Sequence, residues 1–103
     1  MRDTRNLYSG LIRLHVLHHA CRKPFFGFWM IEELAHHGYR LSPGTLYPML
    51  SAMERNGLLR SSRQQIDGKL RRMYRATPAG RAALRTAKER VRELFGELFE
   101  DQG

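Results

Sequence analysis

The sequence predicts a mainly α-helical fold with a small β-hairpin, and three observations carry that expectation. Apolar residues recur every three or four positions through most of the chain, which is the period of a helix face. Two hydroxyl-proline pairs, Ser42-Pro43 and Thr77-Pro78, have the chemistry of helix starts. Between them the period changes around Asp67-Gly68, a dipeptide suited to a two-residue hairpin turn because both positions tolerate positive φ.

The elements follow in order. Leu7, Leu11, Leu14, Leu17 and Cys21 form one apolar stripe over about residues 6–21, widened by Ile12 and Ala20. Arg22, Lys23 and Pro24 end that helix, the cations favouring a C-terminus and the proline blocking continuation. A second helix should begin between Phe26 and Phe28, bury Met30, Ile31, Leu34 and Ala35, and stop before Gly38. Ser42 should cap a third helix over 43–55, with Leu41 as a staple and Leu46, Met49, Leu50 and Met53 facing inward. Pro48 disturbs it, so either the opening turn is distorted or the regular helix begins late. Residues 59–65 and 70–76 are the hairpin arms, and the arginines of the second make it a poor central strand but a reasonable exposed ribbon. The last helix, about 78–100, carries Leu84, Ala87, Val91, Leu94 and Leu98 as a near-heptad seam flanked by Phe95 and Phe99. Its length of roughly 34 Å is more than a small core needs. The surplus implies a second helix from another subunit, and Leu11 in the first helix belongs to a comparable stripe.

Size and composition limit the function classes. A chain of 103 residues with 42% hydrophobic and 27% charged residues is one globular unit, too short for a large enzyme scaffold. Its single cysteine excludes an intrachain disulfide framework, and with no membrane-spanning or leader pattern the expected location is the cytoplasm. Charge is uneven along the chain: residues 36–88 hold eleven basic and two acidic residues, whereas 89–103 hold two basic and five acidic. The middle of the chain is therefore the candidate face for a polyanion.

Three short helices followed by a hairpin is the order of a winged helix-turn-helix, in which the helix over 43–55 enters the major groove and the hairpin is the wing. The hydroxyls of Ser42, Thr45, Tyr47 and Ser51 are candidate contacts to phosphates or base edges. Arg63, Lys69, Arg71 and Arg72 would supply attraction to the backbone or minor groove. The expected division is a DNA-binding domain over residues 1–77, including the first helix, and a dimerisation helix over 78–103. The expected partner is double-stranded DNA carrying an inverted repeat.

The stretch LSPGTLYPMLSAMERNGLLRS, followed by RRMYRATPAGRAAL, closely resembles the PadR-like transcriptional regulators. That resemblance implies a homodimeric winged-helix repressor whose first and last helices form the dimer interface and whose wing contacts DNA. It places Ser42, Thr45 and Tyr47 on the reading helix, Lys69 and Arg71 at the wing, and Leu94 and Leu98 in the dimer. With one helix after the wing, the chain looks like the short branch of that family. Where members often have histidine-glycine-tyrosine at the second helix, this chain has Phe26-Gly27-Phe28 and then Trp29.

Phe25, Phe26, Phe28 and Trp29 are more aromatics than a three-turn helix needs for its core. Core and interdomain packing is the plain reading. The alternative is an apolar effector pocket, as the resemblance to drug-responsive relatives implies, with Phe25, Phe28 and above all Trp29 as candidates. His15, His18, His19 and Cys21 cluster at helical spacing, with His36-His37 further on. No clear carboxylate partner accompanies them, so solvated histidines beside a packed cysteine are expected, and no metal or cofactor. An enzyme lacks support, since no phosphate loop or paired carboxylates occur and Ser42 has no evident base. RNA binding by the basic ribbon and a protein-interaction module built from the terminal helices stay open as alternatives. The first lacks paired stacking aromatics and the second leaves the central charge unexplained.

Overall fold

The computed structural model describes residues 5–100. The chain runs α1 (Arg5–Arg22), β1 (Phe25–Phe26), α2 (Gly27–His36), α3 (Pro43–Arg55), β2 (Leu59–Ile66), β3 (Lys69–Ala76) and α4 (Pro78–Phe95), which widens into a π-helical turn at Gly96–Glu100. Every expected helix and both hairpin arms are present. Asp67 and Gly68 both have positive φ, 52° and 79°, and the arms pair antiparallel from Leu59 opposite Ala76 to Ile66 opposite Lys69.

The core is assembled where the three short helices meet the base of the hairpin. Val16 from α1, Met30 and Leu34 from α2, Leu46 and Leu50 from α3 and Leu59 from β2 are its most deeply buried side chains. These are the inward positions of each helical period, so the pattern that makes each helix amphipathic also fixes how the helices meet.

The sheet differs from the expected ribbon. Phe25 and Phe26 form a short strand that pairs with Tyr74 and Met73, giving the order β1-β3-β2, so the arginine-bearing β3 is the central strand. Two residues are too few to show a strand period. The pleat sends Phe25 inward, stacked on Tyr74 at 5.7 Å between centroids, and sends Phe26 outward beneath the Arg71 guanidinium at 4.3 Å. Burial also holds the Tyr74 phenol above its ordinary pKa, the nearby Arg72 opposing that shift.

Two local details, the Ser42 side chain and the α1 stripe, depart from expectation, and the distorted opening turn allowed for at Pro48 is present. The Ser42 side chain does not cap α3; its hydroxyl donates to Thr45 Oγ1 at 3.3 Å. The Ser42 carbonyl instead accepts from the N–H groups of both Thr45 and Leu46 at 3.0 Å, so the opening turn tightens and the helix continues through Pro48. The α1 stripe splits in two. Ile12, Val16, Leu17 and Ala20 are buried, while Leu7 and Leu11 face outward.

Thr77 does cap its helix, accepting from the Gly80 N–H at 2.9 Å, while its hydroxyl donates to the Gly57 carbonyl and its N–H to that of Leu58. These bonds anchor the start of α4 beside the end of α3. The Arg81 guanidinium adds a bond to the Cys21 carbonyl at 2.9 Å. Beyond Ala83 and Leu84 the helix leaves the core: Val91, Leu94, Phe95, Leu98 and Phe99 are all exposed, the last two above 60%. The projecting helix explains a radius of gyration of 15.2 Å, against about 13 Å for a compact domain of this length. It also explains a surface of 7657 Å², against roughly 6,000 Å² for a compact monomer of this mass.

Candidate nucleic-acid interface

The two faces of α3 divide sharply. Leu46, Met49, Leu50 and Met53 lock one face into the core, and Ser42, Thr45, Tyr47, Pro48, Ser51 and Arg55 are exposed on the other. Tyr47 has a second task, because its ring lies directly on the Cα of Gly27 in the first turn of α2. The reading pair is thus held together partly by a side chain on the expected reading surface, a contact that sequence spacing does not reveal.

Pairing within the hairpin sorts the wing cations. Arg63 stands opposite Arg72 on the face that carries Ser61, and Ser61 is tied to α3 through the Glu54 carboxylate, which accepts from its N–H at 3.2 Å and its hydroxyl at 2.8 Å. Arg72 donates to the same Ser61 hydroxyl at 3.0 Å. The wing is therefore fastened to the end of α3 by a Glu54–Ser61–Arg72 chain, with Arg63 and Arg72 on the α3 side. Lys69 and Arg71 alternate to the opposite face, where Arg71 is engaged with Phe26. Arg60 and Arg75, not singled out from sequence, form a second exposed cross-strand pair on that face. Like charges directly opposite destabilise a bare hairpin, and a polyanion relieves the repulsion.

Known proteins share this fold. Residues 16–86 match the model of the transcriptional regulator PadR-like family. The chain is 49% identical over 98 residues to the transcriptional regulator Rv3488 of Mycobacterium tuberculosis, covering 95% of this chain and 92% of the relative. This chain belongs to the PadR-like family. The crystal structure of a PadR family regulator from Eggerthella lenta is 30% identical and superposes with a TM-score of 0.79, covering 92% of this chain and 84% of that one. A PadR-like regulator from Bacillus cereus shares the fold at 23% identity, with a TM-score of 0.80 and coverage of 95% and 98%. The protein is thus a DNA-binding transcriptional regulator of winged-helix architecture, and not an enzyme. No described helix is long and apolar enough to cross a membrane.

Away from the reading face, concavities among the described residues of this PadR-like chain include the following pair. An apolar groove of about 630 Å³ runs between α1 and α4, with Leu11, Leu14, Leu84, Ala87, Val91 and Phe95 among its walls. It brings together the α1 and α4 seams expected to meet a second subunit. A cavity of about 730 Å³ lies where the end of α1 meets β1, lined in part by Phe25, Phe26, Trp29 and Met73. Phe28 is not among its walls and is more than half exposed, so the aromatic cluster divides three ways. Phe25 is buried in the core and touches the cavity from below, Phe26 and Trp29 are half-buried cavity wall, and Phe28 faces outward.

The histidines are also arranged differently from the expected solvated set. His15 and His19 are half-buried, His37 folds back against them, and Glu33 of α2 supplies the missing carboxylate. Spacing along one helix does not show this, because the partners come from two. Burial chiefly lowers the pKa values of His15 and His19; the other imidazoles push the same way and Glu33 opposes.

Proposed function

We propose that this regulator acts in the cytoplasm as a ligand-responsive homodimeric repressor. It would bind inverted-repeat operators through α3 in successive major grooves and through the wing on the flanking backbone. The reading rests on one observation above all: the exposed polar face of α3 and the Arg63/Arg72 pair are fixed on the same side by the Glu54–Ser61–Arg72 chain. A two-fold dimer would set the reading helices about 34 Å apart, so half-sites should be centred about one helical turn, or ~10 base pairs, apart. Ser42, Thr45 and Ser51 would fix register, and Lys69, Arg63 and Arg72 would neutralise phosphates. Tyr47 would both contact DNA and hold α2.

Affinity measured against salt for operator and scrambled duplexes tests this division. Arg63→Ala with Lys69→Ala should weaken binding to both duplexes and lower the salt slope by roughly one unit for each phosphate left without its cation. Thr45→Ala should instead narrow the gap between operator and scrambled DNA, by ~1–3 kcal/mol if its hydroxyl reaches a base edge. A wing variant with unchanged affinity and salt slope would refute the assignment, and equal competition by single-stranded RNA would favour the RNA-binding alternative.

Ligand response is supported by the aromatic cavity at Trp29. A planar apolar compound bound there should quench Trp29 and weaken operator binding over one concentration range, since a ligand shifts an equilibrium only through unequal affinity for the two states. Quenching without any change in DNA affinity would leave the cavity with no regulatory role.

A further inference from the structure

Two helices each present a pair of ligating side chains to the same point. His15 and His19 lie four residues apart on α1, and Glu33 and His37 lie four residues apart on α2 and its C-cap, so each pair projects from a single helical face. One ligating nitrogen from each of the three histidines falls within a 4.8 Å set. Glu33 Oε2 stands 3.4 Å from His19 Nε2 and 3.1 Å from His37 Nε2. Four ligands at 2.0–2.1 Å around a tetrahedral Zn²⁺ are separated by edges of about 3.3 Å. Two edges already have that length, and His15, whose ring lies 4.5 Å from that of His37 between centroids, would have to turn towards Glu33 to complete the figure.

We propose that His15, His19, Glu33 and His37 form a binding site for a divalent transition metal of the zinc class, and that the ion clamps α1 to α2. Three imidazoles and one carboxylate are a donor set for borderline cations such as Zn²⁺, Co²⁺ or Ni²⁺, and a poor one for Mg²⁺ or Ca²⁺, which take oxygen. The second Glu33 oxygen faces His36 Nδ1 at 4.0 Å. His15 also walls the α1–α4 groove, so the clamp sits where the helix offered to a second subunit meets the reading pair.

Tag-free, metal-stripped protein titrated with Co²⁺ tests the site, because tetrahedral Co²⁺ absorbs visible light strongly and octahedral Co²⁺ weakly. One Co²⁺ per chain, an intense visible band displaced by Zn²⁺, and a higher melting temperature with Zn²⁺ are expected. His19→Gln and His37→Gln should each weaken binding at least tenfold, and Cys21→Ser should leave it unchanged. His37 is exposed, so its variant keeps the fold, and circular dichroism of each stripped variant confirms that. Absence of a saturable band, its survival in both histidine variants, or its loss in Cys21→Ser would overturn the proposal.

Discussion

Leu94→Asp combined with Leu98→Asp is expected to convert a dimer into a monomer and to abolish operator binding while leaving the winged helix folded. In the single chain Leu94 is 46% exposed and Leu98 62%, and neither belongs to the buried core, so the monomer loses little by the change. In a dimer both would lie in the apolar seam that continues the α1–α4 groove. Removing a buried leucine from such a seam costs ~1.5–3 kcal/mol, before any penalty for desolvating a carboxylate. The double variant removes two leucines from each subunit, four in the dimer, and so weakens association by roughly 10⁴–10⁸-fold, at about 1.4 kcal/mol per tenfold. Light scattering should then report about 12 kDa in place of twice the 12.1 kDa of one chain. Circular dichroism should keep the helical signal. A wild-type monomer at micromolar concentration would refute the dimer, and a double variant that unfolds would show that α4 is needed for folding itself.

What the sequence makes legible depends on the range of the interaction. The buried stripe of α3, the Asp67-Gly68 turn and the Thr77 cap are set by neighbours within a few residues, and each stands where the pattern puts it. Ser42 shows the limit of that reasoning: its residue type suits a cap, yet its hydroxyl is drawn to Thr45. The strand at Phe25–Phe26 was not legible, since its evidence is a pairing with Tyr74 and Met73 far along the chain. The histidine site is similar. Its two halves are visible as four-residue spacings, but only the packing of α1 on α2 brings Glu33 to His19. For the interface, the excess of positive charge was plain from composition. The strand period of the second arm also separates Arg72 from Arg71 and Arg75, but which arginine of the first arm stands opposite each was not legible, because that depends on the hairpin register.

Gly80→Ala is expected to destabilise the fold more than any other single-methyl addition, by about 2–4 kcal/mol, or much of a small domain's margin. A Cβ there would overlap the Leu58 carbonyl oxygen and lie 3.1 Å from the Leu58 carbonyl carbon and 3.3 Å from Leu17 Cδ1. The main obstacle is backbone, and that backbone is itself tied to Thr77 by the bond that starts α4. Relief therefore requires α4 to move off the end of α3, breaking the bonds from Thr77 to the Gly57 and Leu58 carbonyls. Gly27→Ala meets a different obstacle, the ring of Tyr47, which is 40% exposed and free to swing outward. It should cost about 1–2 kcal/mol and disturb DNA binding, because the displaced ring belongs to the reading face. Adding Tyr47→Ala should recover part of the stability lost in Gly27→Ala, a coupling that a double-mutant cycle measures directly. No side-chain deletion at Leu17 should do the same for Gly80→Ala, since the Leu58 carbonyl stays in place. Urea titrations of the single and double variants decide it: rescue at Gly80 by Leu17→Ala, or a Gly80→Ala midpoint equal to wild type, would refute the close approach of α4 to Leu58.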